Sequence, residues 1–241
     1  MAKGQTRRIP LSDLVRRRWP GWDPTAVESA ITGGEVLVEG RVLTNAAARV
    51  PLDAPLRHEP PTELAGHRKL SWAIGHFGVV ATGRVALDVG ACTGGFTTAW
   101  LDAGARRVYA VDAGHGQLLG SLRLRPEVVN LERTNVGALT PALVPEPVAV
   151  VSVDVSYLAL AAAVSQIGAL DTAGAVLLGL VKPMFELRLA TIPSDRATLG
   201  RACERAALGV DAAGWDVLDI AESPVRGARG AVEYFLYGIR R

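Results

Sequence analysis

Past residue 84 the chain alternates short apolar runs with stretches of helical composition, and this alternation limits the folds open to it more than any other feature. Residues 85–88, 108–112, 128–132, 148–155 and 175–182 read as strands: brief, rich in Val and Leu, and bounded by Gly, Pro or Asp. A helix follows residues 90–96 and runs to Leu101, and two more cover 158–169 and 196–213. Two last strands, 215–220 and 232–239, flank a loop of Gly, Pro and Arg. Strands alternating with helices predict an α/β fold, a doubly wound and mainly parallel sheet.

The first 50 residues do not keep this rhythm. Residues 11–19 read as a short helix, and Asp23 with Pro24 opens a second that ends before Gly33 and Gly34. Residues 35–38 and 41–43, around Glu39 and Gly40, read as a β-hairpin. Two helices and a hairpin make a small α+β accessory module, taken as residues 1–54. Pro51, Pro55, Pro60 and Pro61 mark residues 55–66 as an interdomain linker. The larger domain is then 67–241.

Charge narrows the partners. The formal net charge is only +2, so a nucleic acid must be met by a local patch. One exists at the N-terminus, where Lys3, Arg7, Arg8, Arg16, Arg17 and Arg18 face one acid, Asp13. We expect these arginines on a short helix beside Trp19, as candidate RNA phosphate contacts. Three of the 26 basic residues are lysines, Lys3, Lys69 and Lys182, and the other 23 are arginines. Where a plain positive charge suffices this chain uses Arg, so a retained lysine suggests proton exchange, which Arg does not perform. Lys69 opens an amphipathic segment; Lys182 follows the apolar run of residues 175–181 and precedes Pro183.

Cys92 and Cys203, with His58, His67, His76 and His115, match no disulfide framework or zinc spacing, so no metal is expected. No apolar segment precedes Pro10, and the most apolar stretch, 157–181, is broken by Ser165, Gln166 and Asp171. A soluble, cytoplasmic protein without a membrane partner is expected.

Between the first strand and its helix lie Asp88, Gly90, Ala91, Cys92, Thr93, Gly94, Gly95 and Phe96. Glycines at a strand-to-helix turn let a ligand approach the backbone and meet the helix N-terminus. Asp112 ends the second strand, 22 positions after Gly90, close to where an acid reaches a bound ribose. The loop lacks the Gly-Lys-Ser/Thr ending of a nucleoside triphosphate site and departs from the Gly-x-Gly-x-x-Gly of dinucleotide sites. Its Asp-x-Gly-x-x-x-Gly-Gly-Phe pattern resembles the cofactor loop of S-adenosylmethionine-dependent methyltransferases.

Further stretches carry a narrower resemblance: Arg68-Lys-Leu70, Leu131-Glu-Arg-Thr-Asn135, Val153-Asp-Val-Ser-Tyr157, Val181-Lys-Pro-Met-Phe-Glu186 and Val232-Glu-Tyr-Phe235. In this order they resemble the TlyA-type, haemolysin-like rRNA methyltransferases, whose catalytic domain is similar to the FtsJ/RrmJ ribose 2′-O-methyltransferases. The resemblance implies a Rossmann-like class I methyltransferase fold, an N-terminal S-four-type RNA-binding module, S-adenosylmethionine as cofactor, and rRNA or ribosomal subunits as partner, with cytidine as acceptor. It places the family's Lys-Asp-Lys-Glu tetrad on Lys69, Asp154, Lys182 and Glu233. It also implies cofactor contacts from Asp88, the loop from Gly90 to Phe96, Asp112, Asn135 at the adenine edge, and Asp154.

That residue set suits the chemistry. A ribose 2′-hydroxyl must lose its proton as it attacks a sulfonium methyl, and a lysine beside a second cation in a desolvated site can accept it. Lys182 is assigned as base, Asp154 as its orienting partner, Lys69 as second charge and Glu233 as the group that holds Lys69 or the hydroxyl. Two departures from the family border the substrate entrance. Leu187-Arg-Leu-Ala-Thr-Ile-Pro193 replaces a Gly-rich segment, and Glu63-Leu-Ala-Gly-His-Arg68 lacks an Arg-Ala-Trp-type signature. Two other readings are a methyltransferase of the same fold acting on a small hydroxylated metabolite, and a non-catalytic RNA-binding ribosome-assembly factor.

Overall fold

In a computed structural model the described residues are 7–59, 64–170 and 172–241. Lys3 of the basic patch, Pro60, Pro61 and Glu63 of the expected linker, and Asp171 lie outside them. The chain forms two compact units. One comprises residues 1–64 together with 116–125, the other 65–115 and 126–241. Residues 116–125, within the span expected as the larger domain, group with the first unit, and the chain returns at Pro126.

The first unit begins with β1 (Arg8–Pro10) and α1 (Leu11–Arg18), followed by α2 (Pro24–Thr32). Asp23 starts α2 by accepting the Ala26 N–H at 2.8 Å, with Pro24 at the first helical position. Then come β2 (Val36–Val38), β3 (Arg41–Val42), β4 (Arg49–Pro51) and β5 (Leu56–His58). The hairpin β2–β3 forms as expected, Leu37 opposite Val42. The linker reading is corrected over its first part. β5 pairs antiparallel with β2, Val36 opposite His58, and β4 pairs with β1, Ile9 opposite Val50. Apolar residues of both helices and the strands, among them Leu11, Val15, Ile31, Val36 and Val50, close one small core.

The second unit starts with α3 (Ala65–His76) and continues through β6 (Val85–Val89), α4 (Gly95–Asp102) and β7 (Arg107–Asp112). The excursion to the first unit carries a single-turn α5 (Gly120–Arg123). The remainder is β8 (Val128–Glu132), β9 (Val150–Val153), α6 (Leu160–Gln166), β10 (Val176–Val181), α7 (Pro183–Glu186), α8 (Arg196–Ala212), β11 (Trp215–Glu222) and β12 (Tyr234–Arg240). Seven strands form one sheet in the order β11-β12-β10-β9-β6-β7-β8. Strands β6 to β10 run parallel, while β12 is antiparallel to both β10 and β11.

The sheet is covered on both faces, which is why its central strands are apolar apart from the hydrogen-bonded Asp88 and Ser152. Val85, Leu87 and Val89 of β6 pack into a core with α6 and α8 residues such as Leu160, Val164 and Val210. Ala86 turns to the opposite face, into a core with Leu70, Phe96, Trp100 and Phe235. The two-residue alternation of a strand makes this division. Chain order reverses between β6 and β9, so the crevice at the carboxyl ends of these strands is where a ligand meets such a fold. Among the described residues no helix is long and apolar enough to cross a membrane.

Candidate active site

The glycine loop opens at that crevice. Val89 lies opposite Val153 in the β6–β9 ladder, so Gly90 and Asp154 leave the sheet side by side. Gly90 has φ +91°, and a Cβ on it would stand 2.2 Å from the Asp154 carbonyl oxygen. Only glycine fits that combination of left-handed backbone and close approach. Asp112, at the end of β7, organises the loop: its carboxylate accepts the Cys92 N–H at 2.8 Å and the Gly114 N–H at 2.6 Å. Asn135 is exposed just beyond β8, at the same end of the sheet. Ala91, Cys92, Thr93 and Gly94 complete the turn into α4, with Gly94 at the helix cap.

Three residues expected at the cofactor also have partners in the interior. Asp88 is fully buried because alternation along β6 points it toward α4. Thr97 Oγ1 donates to its Oδ2 at 2.7 Å and Ser152 Oγ to its Oδ1 at 3.0 Å; Trp100 Nε1 in turn donates to Ser152 Oγ at 2.9 Å. Burial pushes the Asp88 carboxyl up to about 7, opposed by those hydroxyl hydrogen bonds. Gly95 is needed for helix packing: a Cβ there would stand 2.8 Å from the His67 backbone nitrogen and 2.9 Å from Gly66 Cα. Phe96 is buried and stacks on Phe235, centroids 6.1 Å apart.

The two lysines are brought to one place. In the β10–β12 ladder Val181 lies opposite Tyr234, so Lys182 and Glu233 flank the same edge of the sheet. Lys69 reaches it from α3, its Nζ donating to Glu233 Oε2 at 2.6 Å, with both residues buried. Gly227 closes over the Glu233 carboxylate, where a Cβ would come within 2.1 Å of Oε1. Lys182 Nζ makes an ion pair with Asp154 Oδ1 and donates to Ser156 Oγ at 2.8 Å. Lys69, Lys182, Ser156 and Glu233 line a cavity of about 440 Å³ whose apolar walls include Met184, Phe185, Ile192 and Val232. The segment of residues 187–193 that departs from the family thus supplies part of the wall, through Ile192 and Pro193.

Sequence reasoning does not single out Ser156, although it lies within the stretch from Val153 to Tyr157. Nor does it explain Glu186. That side chain is buried and accepts the Leu160 N–H at 2.6 Å, fixing the start of α6, and burial raises its pKa. The basic patch is split by the structure. Arg16, Arg17 and Arg18 are exposed in the last turn of α1, whereas Arg7 precedes β1 and Arg8 lies in it. Arg8 donates to the Arg49 carbonyl at 2.7 Å, so it ties two strands together, and Arg16 pairs with Asp13 at 3.2 Å. Arg17 and Arg18 remain on the wall of a groove of about 400 Å³ with Leu14, Leu52 and Leu56.

A parallel sheet with an antiparallel β12 beside β10, a glycine turn at its switch point and two lysine–carboxylate pairs define a methyltransferase site. The FtsJ-like methyltransferase family model matches residues 66–240, and the chain belongs to that family. Over 238 residues it is 36% identical to the 16S/23S rRNA (cytidine-2′-O)-methyltransferase TlyA of Mycobacterium tuberculosis, covering 94% of this chain and 87% of that protein. A solved structure named for a hemolysin from Lactococcus lactis is 27% identical, with TM-score 0.70 over 74% of this chain and 88% of its own. Another, from Streptococcus thermophilus, shares the fold with TM-score 0.70 at 23% identity, over 98% of this chain and 90% of its own.

Proposed function

We propose that the protein is an S-adenosylmethionine-dependent ribose 2′-O-methyltransferase of ribosomal RNA, acting on cytidine in the cytoplasm. The observation that carries this reading is the convergence of Lys69–Glu233 and Lys182–Asp154 on one cavity beside the glycine loop. The similarity to the cytidine-2′-O-methyltransferase TlyA supports the acceptor.

The loop fits the cofactor. Asp112 commits two hydrogen bonds to backbone N–H groups, and a carboxylate has about four acceptor positions, so it retains capacity for a ribose hydroxyl pair. Gly90 leaves the backbone bare where the ligand would lie, and Asn135 is exposed to meet an adenine edge. When bound, S-adenosylmethionine supplies an electrophilic methyl on its sulfonium.

The protein's part is alignment and proton removal. Lys182 rests as an ammonium paired with Asp154; once it has given a proton to solvent, its neutral amine, steered by Asp154 and Ser156, takes the proton from the 2′-hydroxyl. Asp154 stabilises the resulting ammonium. Lys69, fixed by Glu233, presents a positive charge to the oxygen as it becomes more negative. The apolar walls exclude water around the reacting oxygen. The N-terminal unit acts as an S-four-like RNA-binding module, with Arg17 and Arg18 as its exposed phosphate contacts, Arg16 in the same helical turn, and Arg7 as a separate contact ahead of β1.

Transfer of a labelled methyl group to bacterial 30S and 50S subunits, followed by nuclease digestion and mass mapping, tests this reading. It expects 2′-O-methylcytidine. Label on a base, or none on RNA while a small hydroxylated compound is methylated, would overturn it.

A further inference from the structure

The cavity above the lysines carries a charge that neither pair uses. Its charged lining residues are Lys69, Lys182, Arg229 and Glu233. Lys69 is neutralised by Glu233 and Lys182 by Asp154. Arg229 has no ion-pair partner among the described residues, whereas Arg226 on the same loop is held by Glu222 at 3.1 Å. Removing the two pairs leaves one net positive charge on the cavity wall, at Arg229.

Its backbone is also unusual. Arg229 has φ 56° and ψ 27°, the left-handed region, inside the turn that joins β11 to β12. That conformation costs free energy in a residue other than glycine, and such residues concentrate at ligand sites. The turn is firmly built: Gly227 N–H donates to the Ala231 carbonyl at 2.8 Å and Ser223 N–H to the Glu233 carbonyl at 2.9 Å. The same short segment therefore holds Glu233 against Lys69 and presents an exposed arginine to the cavity.

An arginine suits a phosphate, which it can grip through two parallel N–H donors. In an RNA chain C3′, the neighbour of the carbon that bears the 2′-hydroxyl, carries a phosphodiester through its oxygen, so an acceptor hydroxyl brought to Lys182 brings an anion with it. A free nucleoside or neutral metabolite brings none. We propose that Arg229 binds the phosphodiester on the 3′ side of the acceptor ribose and makes the site selective for a hydroxyl within a polynucleotide. This rests on the ribose-methylation reading above and names the substrate feature that the site recognises.

The test uses the full chain, purified ribosomal RNA and a salt titration of methyl transfer, comparing wild type with Arg229→Gly and Arg229→Lys. Glycine suits the left-handed backbone, so the fold is retained, which a melting curve checks. Arg229→Gly should raise KM for RNA about tenfold with kcat within about threefold. The slope of log kcat/KM against log salt should become shallower by about 0.7–0.9, the loss of one phosphate contact. Arg229→Lys should keep most of the slope. Unchanged KM and slope in Arg229→Gly, with wild type methylating RNA normally, would overturn the Arg229 assignment alone. A wild-type enzyme that leaves ribose on RNA unmethylated would overturn both readings.

Discussion

Lys69 Nζ stands 2.6 Å from Glu233 Oε2, two buried groups 164 residues apart in the chain. The pair ties α3 to the start of β12. Removing one partner of a buried pair leaves an uncompensated charge and costs about 3–5 kcal/mol. Glu233→Ala should lose roughly that much in chemical denaturation, and Lys69→Met with Glu233→Ala together should recover most of it. Equal stability of Glu233→Ala and wild type would show that the pair is not held in solution.

Asp112→Ala removes the acceptor that the Cys92 and Gly114 N–H groups share. Loss of such charge-assisted hydrogen bonds should weaken S-adenosylmethionine binding by about 1–3 kcal/mol. Calorimetry that finds wild-type affinity would remove Asp112 from the cofactor site.

Asp88 gives the fold a pH signature. Its carboxyl rises from 3.8 to about 7 through burial. The folded state therefore favours the protonated acid. The associated stability is fully present below about 3.8 and is lost as pH rises through about 7. Asp88→Asn removes that titration while keeping the size. The melting temperature of wild type relative to Asp88→Asn should fall between pH 5 and pH 8. A difference constant across that window would mean that Asp88 is ionised in the interior.

Most of the second unit is legible in the sequence because its elements obey local rules. Strand 128–132 agrees with β8 to the residue, and α8 begins where Asp195 accepts the Thr198 N–H at 2.8 Å. Strands β1, β4 and β5 escape notice because, unlike the equally short β2 and β3, they flank no tight hairpin turn; Arg8 finds Pro51 only through the tertiary fold. The proline-rich composition suggests a linker, yet Leu56–His58 completes a sheet. Asp88, Gly95 and Phe96 sit within a motif that reads as ligand-binding, but strand alternation and the approach of Gly66 turn them inward. Arg229 has no motif to announce it, since its significance comes from charges paired elsewhere in the cavity.

Ser156 Oγ receives a hydrogen bond from Lys182 Nζ at 2.8 Å. Ser156→Ala should slow kcat about fivefold, the value of one ordinary hydrogen bond, with KM for RNA little changed. Ser156→Thr keeps the hydroxyl and should restore the rate. A shift in KM alone would make Ser156 an RNA contact instead of a positioning residue.

The central claim is that Lys182 accepts the 2′-hydroxyl proton, and single-turnover methyl transfer by Lys182→Arg tests it most directly. Arginine keeps the charge beside Asp154 but stays protonated. The variant should bind S-adenosylmethionine and RNA nearly as wild type does. Its methyl-transfer rate should fall about a hundredfold or more, the usual loss when a general base is removed. A near-normal single-turnover rate would contradict the account and leave Lys182 as a cation that only positions the substrate.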